Sequence, residues 1–134
     1  PLVREGAVKN LATARSPEGV LAISRSLADR DALVRVAACK ALGVLRAHQT
    51  KAKLYDAIVD KDPRVRCAAA EALGRMGDKY GLPYIAKLVG VRGDHQYDAI
   101  RALNVLTGKN FSCNERGLGQ AIAWVRREKN RLGC

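Results

Sequence analysis

The sequence predicts an all-α protein, an α-solenoid in which two-helix hairpins stack side by side. The segment at 31–43 recurs at 62–74, an offset of 31 residues, and apolar residues within both copies recur at helical spacing. Hydrophobic residues make up 48% of the 134 residues and aromatic residues only 4%. That composition favours slender, closely packed helices over a β-sandwich, which requires more aromatic residues.

The first helix of each repeat carries an apolar stripe on one face. In the second copy of the repeat the stripe consists of Val34, Ala38, Ala41 and Leu42. Asp62 followed by Pro63 predicts a helix start, because aspartate caps the first turn and proline suits its first position. The many alanines leave little side-chain volume, so neighbouring first helices can approach closely. Gly43 and Gly74 follow the stripe and predict the point where the chain leaves each helix.

The second helix of each repeat shows matched apolar residues one repeat apart. They are Ile23, Leu54 and Ile85, and four residues later Leu27, Ile58 and Val89. Ser16 and Pro17 predict the start of the first of these helices. The pattern predicts one domain over 1–134, a right-handed superhelix of about four units at 1–31, 32–62, 63–92 and 93–134, because such hairpins bury their apolar faces only against neighbours.

The last unit ends in a segment of a different kind. Ser112 and Glu115 match a capping box, which predicts a C-terminal capping helix from about 113 to 130. Gly117 and Gly119 are expected to weaken its first turn by about 1 kcal/mol each relative to alanine. Two of the few bulky rings, Phe111 and Trp124, are predicted to form a hydrophobic cap over the last repeat.

The repeat D-x-x-V-R-x-x-A-x-x-A-L-G resembles the HEAT-repeat family. It is closest to the short-period repeats of phycobilisome lyase subunits and of many bacterial scaffold proteins. The motif stands at 31–43 and 62–74, and weaker copies at 3–11 and 95–104 extend the resemblance over nearly the whole chain. The resemblance implies a recognition scaffold whose second helices form the concave, partner-binding face.

Arginine occupies one position of the repeat in three units, at Arg4, Arg35 and Arg66, and Gln96 replaces it in the fourth. These arginines alternate with aspartates at the repeat junctions, Asp29, Asp31, Asp60 and Asp62. We expect charge-assisted bonds between arginine and aspartate that join the units, as in HEAT-like proteins. The alternative is a ladder of arginines that binds an anion.

A helical wheel places a set of polar side chains outward on the second helices. The predicted partner-binding residues are Arg25, Lys53, Asp56, Tyr84 and Lys87. Tyr84 is the best anchor among them, because interface hot spots favour aromatic residues and arginine. The row of Arg25, Asp56 and Lys87 alternates in sign, whereas a groove for a phosphate backbone should be uniformly positive. These residues therefore predict a scaffold that binds another protein.

The net charge of +11 keeps a second class of partner open. An excess of lysine and arginine raises the affinity for nucleic acid and other polyanions. The densest basic segment, and the predicted polyanion site, is Arg126, Arg127, Lys129 and Arg131. The resemblance adds a third possibility, an accessory subunit of a bilin-lyase-like complex that acts with a partner chain.

The sequence predicts no enzyme, no metal site and no cofactor. The four cysteines lack metal-ligand spacing, and the two histidines do not form the His-Glu pairs of HEAT-type metal oxygenases. No phosphate-binding loop, GxSxG or HExxH motif occurs. Cys39 and Cys67 are expected to be buried inside helices, while Cys113 and Cys134 are expected to be accessible and open to reaction.

The chain shows no apolar run long enough for a membrane span and no signal peptide. The second observation favours the cytoplasm. Pro1 takes the place that Pro63 holds in its repeat, so the first unit lacks the preceding aspartate. This predicts either a piece of a longer repeat array or an exposed front helix covered by another subunit, including a second copy of the chain.

Overall fold

The computed structural model describes residues 16–132, which are helical and contain no strand. This confirms the predicted all-α class. The helices are α1 (Pro17–Arg25), α2 (Ala32–Leu45), α3 (Lys51–Ala57), α4 (Pro63–Arg75), α5 (Leu82–Val89), α6 (Gln96–Thr107), α7 (Glu115–Arg127) and α8 (Lys129–Leu132). The helix expected from the weak copy at 3–11 lies outside the described residues. None of the described helices is long and apolar enough to cross a bilayer.

Side-chain caps start α1 and α4 where the sequence predicts, and a third cap starts α2. The Ser16 hydroxyl accepts a hydrogen bond from the backbone N–H of Gly19 at 3.0 Å, and Pro17 opens α1. Asp31 and Asp62 begin α2 and α4 in the same way, each accepting from the backbone N–H two residues later at 2.8 Å. These side chains satisfy amide groups that have no partner inside the helix.

The first helices of the repeats, α2, α4 and α6, pack against one another in order, and the second helices α1, α3 and α5 cover them. Buried residues form two clusters, and α4 contributes to both. Val65, Ala69 and Leu73 belong to the first cluster, whereas Cys67 and Ala70 belong to the second. Neighbouring hairpins thus share a helix, which makes the core continuous along the solenoid.

The prediction that Gly43 and Gly74 end their helices is wrong. Both lie within a helix, and α2 ends two residues after Gly43, where Arg46 adopts the left-handed conformation with φ 50°. A Cβ atom on Gly43 would lie 2.8 Å from the Cα of Ala72 in α4. A Cβ on Gly74 would lie 3.0 Å from the side chain of Val105 in α6. The glycines mark the points of closest approach between successive first helices.

The C-terminal helix also starts differently from the prediction. Asn114, not Ser112, is the N-cap, and its side-chain oxygen accepts from the backbone N–H of Gly117 at 2.8 Å. The capping box therefore does not form, and the predicted helix over 113–130 is the pair α7 and α8. A Cβ on Gly117 would lie 1.7 Å from the backbone oxygen of Ser112, so this glycine is required by the path of the preceding loop.

The predicted hydrophobic cap is present at this end of the solenoid. Its side chains pack against the second core cluster and are Phe111, Leu118, Ile122, Trp124 and Val125. The side-chain amide of Asn104 holds Phe111 by two hydrogen bonds of 2.9 Å to its backbone N–H and C=O. The Lys109 ammonium lies 5.3 Å from the Trp124 ring centre, a cation–π contact over the cap.

We expect Gly43→Ala to lower the free energy of unfolding by up to about 2 kcal/mol. Overpacking costs about 1–3 kcal/mol, and the better helix propensity of alanine returns at most about 1 kcal/mol. Gly119→Ala is the matched control, because its Cβ would meet open space within a helix. It should stabilise the protein by up to about 1 kcal/mol. Urea unfolding followed by circular dichroism measures both, and equal effects would contradict the close approach at Gly43.

Candidate partner-binding face

The five residues predicted to bind a partner are all exposed and lie along two grooves between second helices. Arg25, Lys53 and Asp56 line the first groove, between α1 and α3. Tyr84 and Lys87 line the second groove, between α3 and α5. The structure therefore keeps the five residues on the face formed by the second helices but divides them between two neighbouring depressions.

The two grooves are the same structural feature one repeat apart. Lining residues of the first groove include Leu27, Ala28, Lys53, Asp56, Ala57 and Asp60. Lining residues of the second groove include those 31 positions later, Ile58, Val59, Tyr84, Lys87, Leu88 and Val91. The repeat thus places equivalent positions in both grooves, while the side chains at several of them differ in charge and size.

These differences change the electrostatics of the grooves. In the first groove, two acidic side chains, Asp56 and Asp60, accompany Arg25 and Lys53. The ammonium of Lys53 also lies 3.5 Å from the Ser24 hydroxyl. The described lining of the second groove contains two basic side chains and no acidic one. The first groove is therefore balanced in charge, and the second is positive.

Three exposed tyrosines form a contiguous patch beside the second groove. The ring centres of Tyr55 and Tyr80 are 4.9 Å apart, and those of Tyr80 and Tyr84 are 5.9 Å apart. Their exposed fractions are 36%, 53% and 36% in chain order. The Tyr55 hydroxyl donates a hydrogen bond to Asp78, which raises the pKa of the phenol and lowers the pKa of the carboxyl. This bond holds the first ring of the patch in place.

Tyr84 was predictable from the sequence as an outward residue, whereas Tyr80 was not. Tyr80 lies in the connection before α5, outside the repeated segments, and a helical wheel assigns no face to such a residue. Its spacing of four residues from Tyr84 was the available signal. The backbone N–H of Tyr80 donates to the side chain of Asp78 at 2.9 Å, so this connection is an ordered turn.

The predicted arginine–aspartate pair is present at Arg35, but its carboxylate partner, Asp60, lies in the same unit, and the bond that joins two units goes to a backbone oxygen. This buried guanidinium donates from Nε and Nη2 to the two carboxylate oxygens of Asp60 at 2.9 and 3.2 Å. Its Nη1 donates to the backbone oxygen of Asp29 at 2.8 Å, at the end of the preceding unit. Gln96 takes the same role in the last unit, donating to the backbone oxygen of Val89 at 3.0 Å.

The same prediction is wrong for Arg66, and Arg4 lies outside the described residues. The residue one repeat after Asp60 is Val91, so Arg66 has no acidic side chain in the place that serves Arg35. Its Nε is buried and has no hydrogen-bond partner among the described residues. Arg66 also lines the second groove together with Lys87.

The basic residues near the C-terminus lie at one end of the solenoid. Arg126 and Arg127 end α7, and Lys129 and Arg131 lie in α8; all four are exposed. Arg131 pairs with Glu128 at 2.8 Å, which offsets part of the positive charge. The segment is separate from the two grooves.

The side chains that could support catalysis or metal binding are dispersed. Cys39 and Cys67 are buried as predicted, and burial raises the pKa of each thiol to about 12. Cys113 is exposed, and Cys134 lies outside the described residues. His95 is buried, with its Nε2 3.1 Å from the backbone oxygen of Leu88. Within 16–132, no three potential ligands come together as a metal site.

A family model described as HEAT repeats matches residues 20–106. The chain belongs to the HEAT-repeat family. The match covers the stacked hairpins and supports the solenoid fold, but it does not identify the phycobilisome-lyase subtype. A search of curated proteins finds no match. HEAT repeats are generally scaffolds for protein interaction, which agrees with a face of exposed side chains on the second helices.

We expect Asp60→Asn to lower the free energy of unfolding by about 3 kcal/mol, because it leaves the buried charge of Arg35 without its partner. Asp98→Asn is the matched control. It removes an ion pair with Arg101 that is largely solvated, and should cost less than about 1 kcal/mol. Chemical denaturation measures both variants. A loss at Asp60 no larger than at Asp98 would show that the junction contributes little.

We expect iodoacetamide at about pH 8 to modify Cys113 in the folded protein and to spare Cys39 and Cys67. The thiolate is the reactive form, and burial keeps both helical thiols protonated far above this pH. In urea all three should react. Peptide mass mapping after timed quenching measures this, and modification of Cys39 as fast as Cys113 would contradict the buried position.

Proposed function

We propose that the chain is a non-catalytic scaffold that binds a protein partner on the face of its second helices. The exposed patch of Tyr55, Tyr80 and Tyr84 is the observation that carries this proposal. Tyrosine combines a large apolar ring with a polar hydroxyl and is enriched at binding hot spots. Three such rings in contact, on the side of the solenoid away from the stacked first helices, form a ready anchor.

The charged residues of the face surround this anchor as a polar rim. Arg25, Lys53 and Asp56 extend it along the first groove, and Lys87 extends it along the second. Rim charges mainly steer association and select against wrong partners, while the desolvated centre supplies most of the affinity. The proposal therefore assigns affinity to the tyrosines and selectivity to the grooves.

Binding of nucleic acid or another polyanion is the second candidate function, favoured by the net charge of +11 and the exposed Arg126, Arg127 and Lys129. The acidic side chains of the first groove favour a protein partner instead. Salt separates the two, because polyanion binding falls linearly with salt on logarithmic axes. For a protein partner captured on this chain, we expect the affinity to fall less steeply with salt than it would for a polyanion.

A binding partner is first captured from an extract of the source organism. We expect Tyr84→Ala to lower the affinity for this partner about thirtyfold, which corresponds to about 2 kcal/mol for a hot-spot tyrosine. Tyr97→Ala is the matched control. Tyr97 is 41% exposed but lies on the first helix α6, away from the tyrosine patch. Surface plasmon resonance with the purified partner measures both.

Circular dichroism should show both tyrosine variants folded. Retained affinity in Tyr84→Ala, together with loss of binding on charge reversal of Arg126 and Arg127, would contradict the proposed surface and favour the polyanion candidate. Equal losses in Tyr84→Ala and Tyr97→Ala would contradict the role of the patch as a localised anchor.

A further inference from the structure

Arg66 stands out among the arginines of the repeat. Its Nε is buried without a hydrogen-bond partner in the described part of the chain, whereas the equivalent Arg35 is held by two bonds to Asp60 and one to a backbone oxygen. A buried donor without an acceptor is costly, and native structures rarely keep one without a reason. Arg66 as a whole is only half-buried, so a carboxylate from outside the described structure can approach the accessible part of its guanidinium.

The repeat shows which acceptor would fit. Val91 stands 31 positions after Asp60 and lines the same groove as Arg66. The position that supplies a carboxylate to Arg35 therefore supplies only methyl groups beside Arg66. Lys87 stands one repeat after Asp56. A second position that is acidic in the first groove is therefore basic in the second groove.

The size and the borders of the second groove narrow the class of ligand. Its volume is about 340 Å³, at the lower end of the range for small-ligand sites, which suits one or two side chains. Val59 and Val91 on its border are 67% and 52% exposed. Apolar borders around two positive charges favour an acidic side chain with apolar neighbours over a hydrated phosphate backbone.

We propose that the second groove receives one aspartate or glutamate side chain of a protein partner, and that its carboxylate bonds to Arg66 and pairs with Lys87. This inference rests on the proposed function, since it names the chemistry of the segment that binds beside Tyr84. The partner thereby supplies the carboxylate that Asp60 supplies within the preceding repeat. Guanidinium–carboxylate bonds are strong and directional, so this contact fixes the register of the partner.

Val91→Asp is the decisive variant, because it returns the repeat's own carboxylate to Arg66. We expect it to fold, to raise the melting temperature and to block the groove. Arg66→Gln removes the positive charge and should also lower the affinity for acidic ligands. Arg116→Gln is the matched control, since it removes an exposed arginine of α7 that lines neither groove.

The probe is a displayed library of short random peptides, selected on the full chain. We expect the enriched peptides to share one acidic residue between apolar residues. For a synthetic peptide of this kind with blocked ends, changing its acid to the amide should weaken binding about tenfold to a hundredfold, the loss expected for a charge-assisted bond. Val91→Asp and Arg66→Gln should cause a similar loss, and Arg116→Gln should not.

Four outcomes would overturn the inference. Peptides that bind the Tyr84 face without an acid, or equally well to a folded Val91→Asp variant, would refute it and leave the proposed function standing. The peptide can also be displaced by inorganic phosphate or by N-acetyl-glutamate α-amide, which carries a single side-chain carboxylate. If both displace it at the same concentration, the groove is a general anion site. If none of the enriched peptides requires Tyr84 for binding, the result counts against both proposals.

Discussion

The close approach of successive first helices is the constraint on which the rest of the structure depends. At the crossing of α2 and α4, Gly43 faces the backbone of Ala72, leaving no room for a further carbon atom. Dispersion and apolar burial are gained only when such surfaces meet without a gap. Because α4 belongs to both core clusters, a displacement at this crossing would affect the hairpins on either side of it.

The junction of Arg35 and Asp60 adds direction to this packing. Apolar contacts tolerate small rotations between neighbouring hairpins, whereas a guanidinium that bonds two carboxylate oxygens and a backbone oxygen does not. The bond to Asp29 reaches the preceding unit and the bonds to Asp60 stay within one unit. Together they fix the angle between second helices and therefore the spacing of the grooves that α1, α3 and α5 enclose.

Much of this fold follows from the sequence, because a solenoid repeats one local solution. The stripe that includes Val34 and Leu42 and the caps at Asp31 and Asp62 depend on neighbouring residues alone, so periodicity and capping rules predict them. The roles of Gly43 and Gly117 were not predicted because they depend on close contacts with backbone outside their own helices, at Ala72 and in the loop at Ser112. Local propensity contains no information about such contacts.

The candidate site was predictable only in part for the same reason. A helical wheel identifies outward positions such as Lys53, Tyr84 and Lys87, but it does not show which of them share a groove. Tyr80 lies in a turn, where no wheel applies, and its contact with Tyr84 depends on the path of the chain before α5. Arg66 was expected to have an internal partner because the repeat was assumed to hold in every unit.

A departure from the repeat is informative when packing does not require it. The residue at position 91 is exposed, so neither valine nor aspartate there is dictated by the core. The repeat nevertheless provides a carboxylate at Asp60, where it bonds to Arg35. It omits the carboxylate at Val91, beside Arg66, whose buried Nε has no acceptor in the described part of the chain. The stability that an internal carboxylate would add is absent at the second groove, which adjoins the exposed tyrosines. That coincidence is the physical basis for assigning the missing carboxylate to a partner.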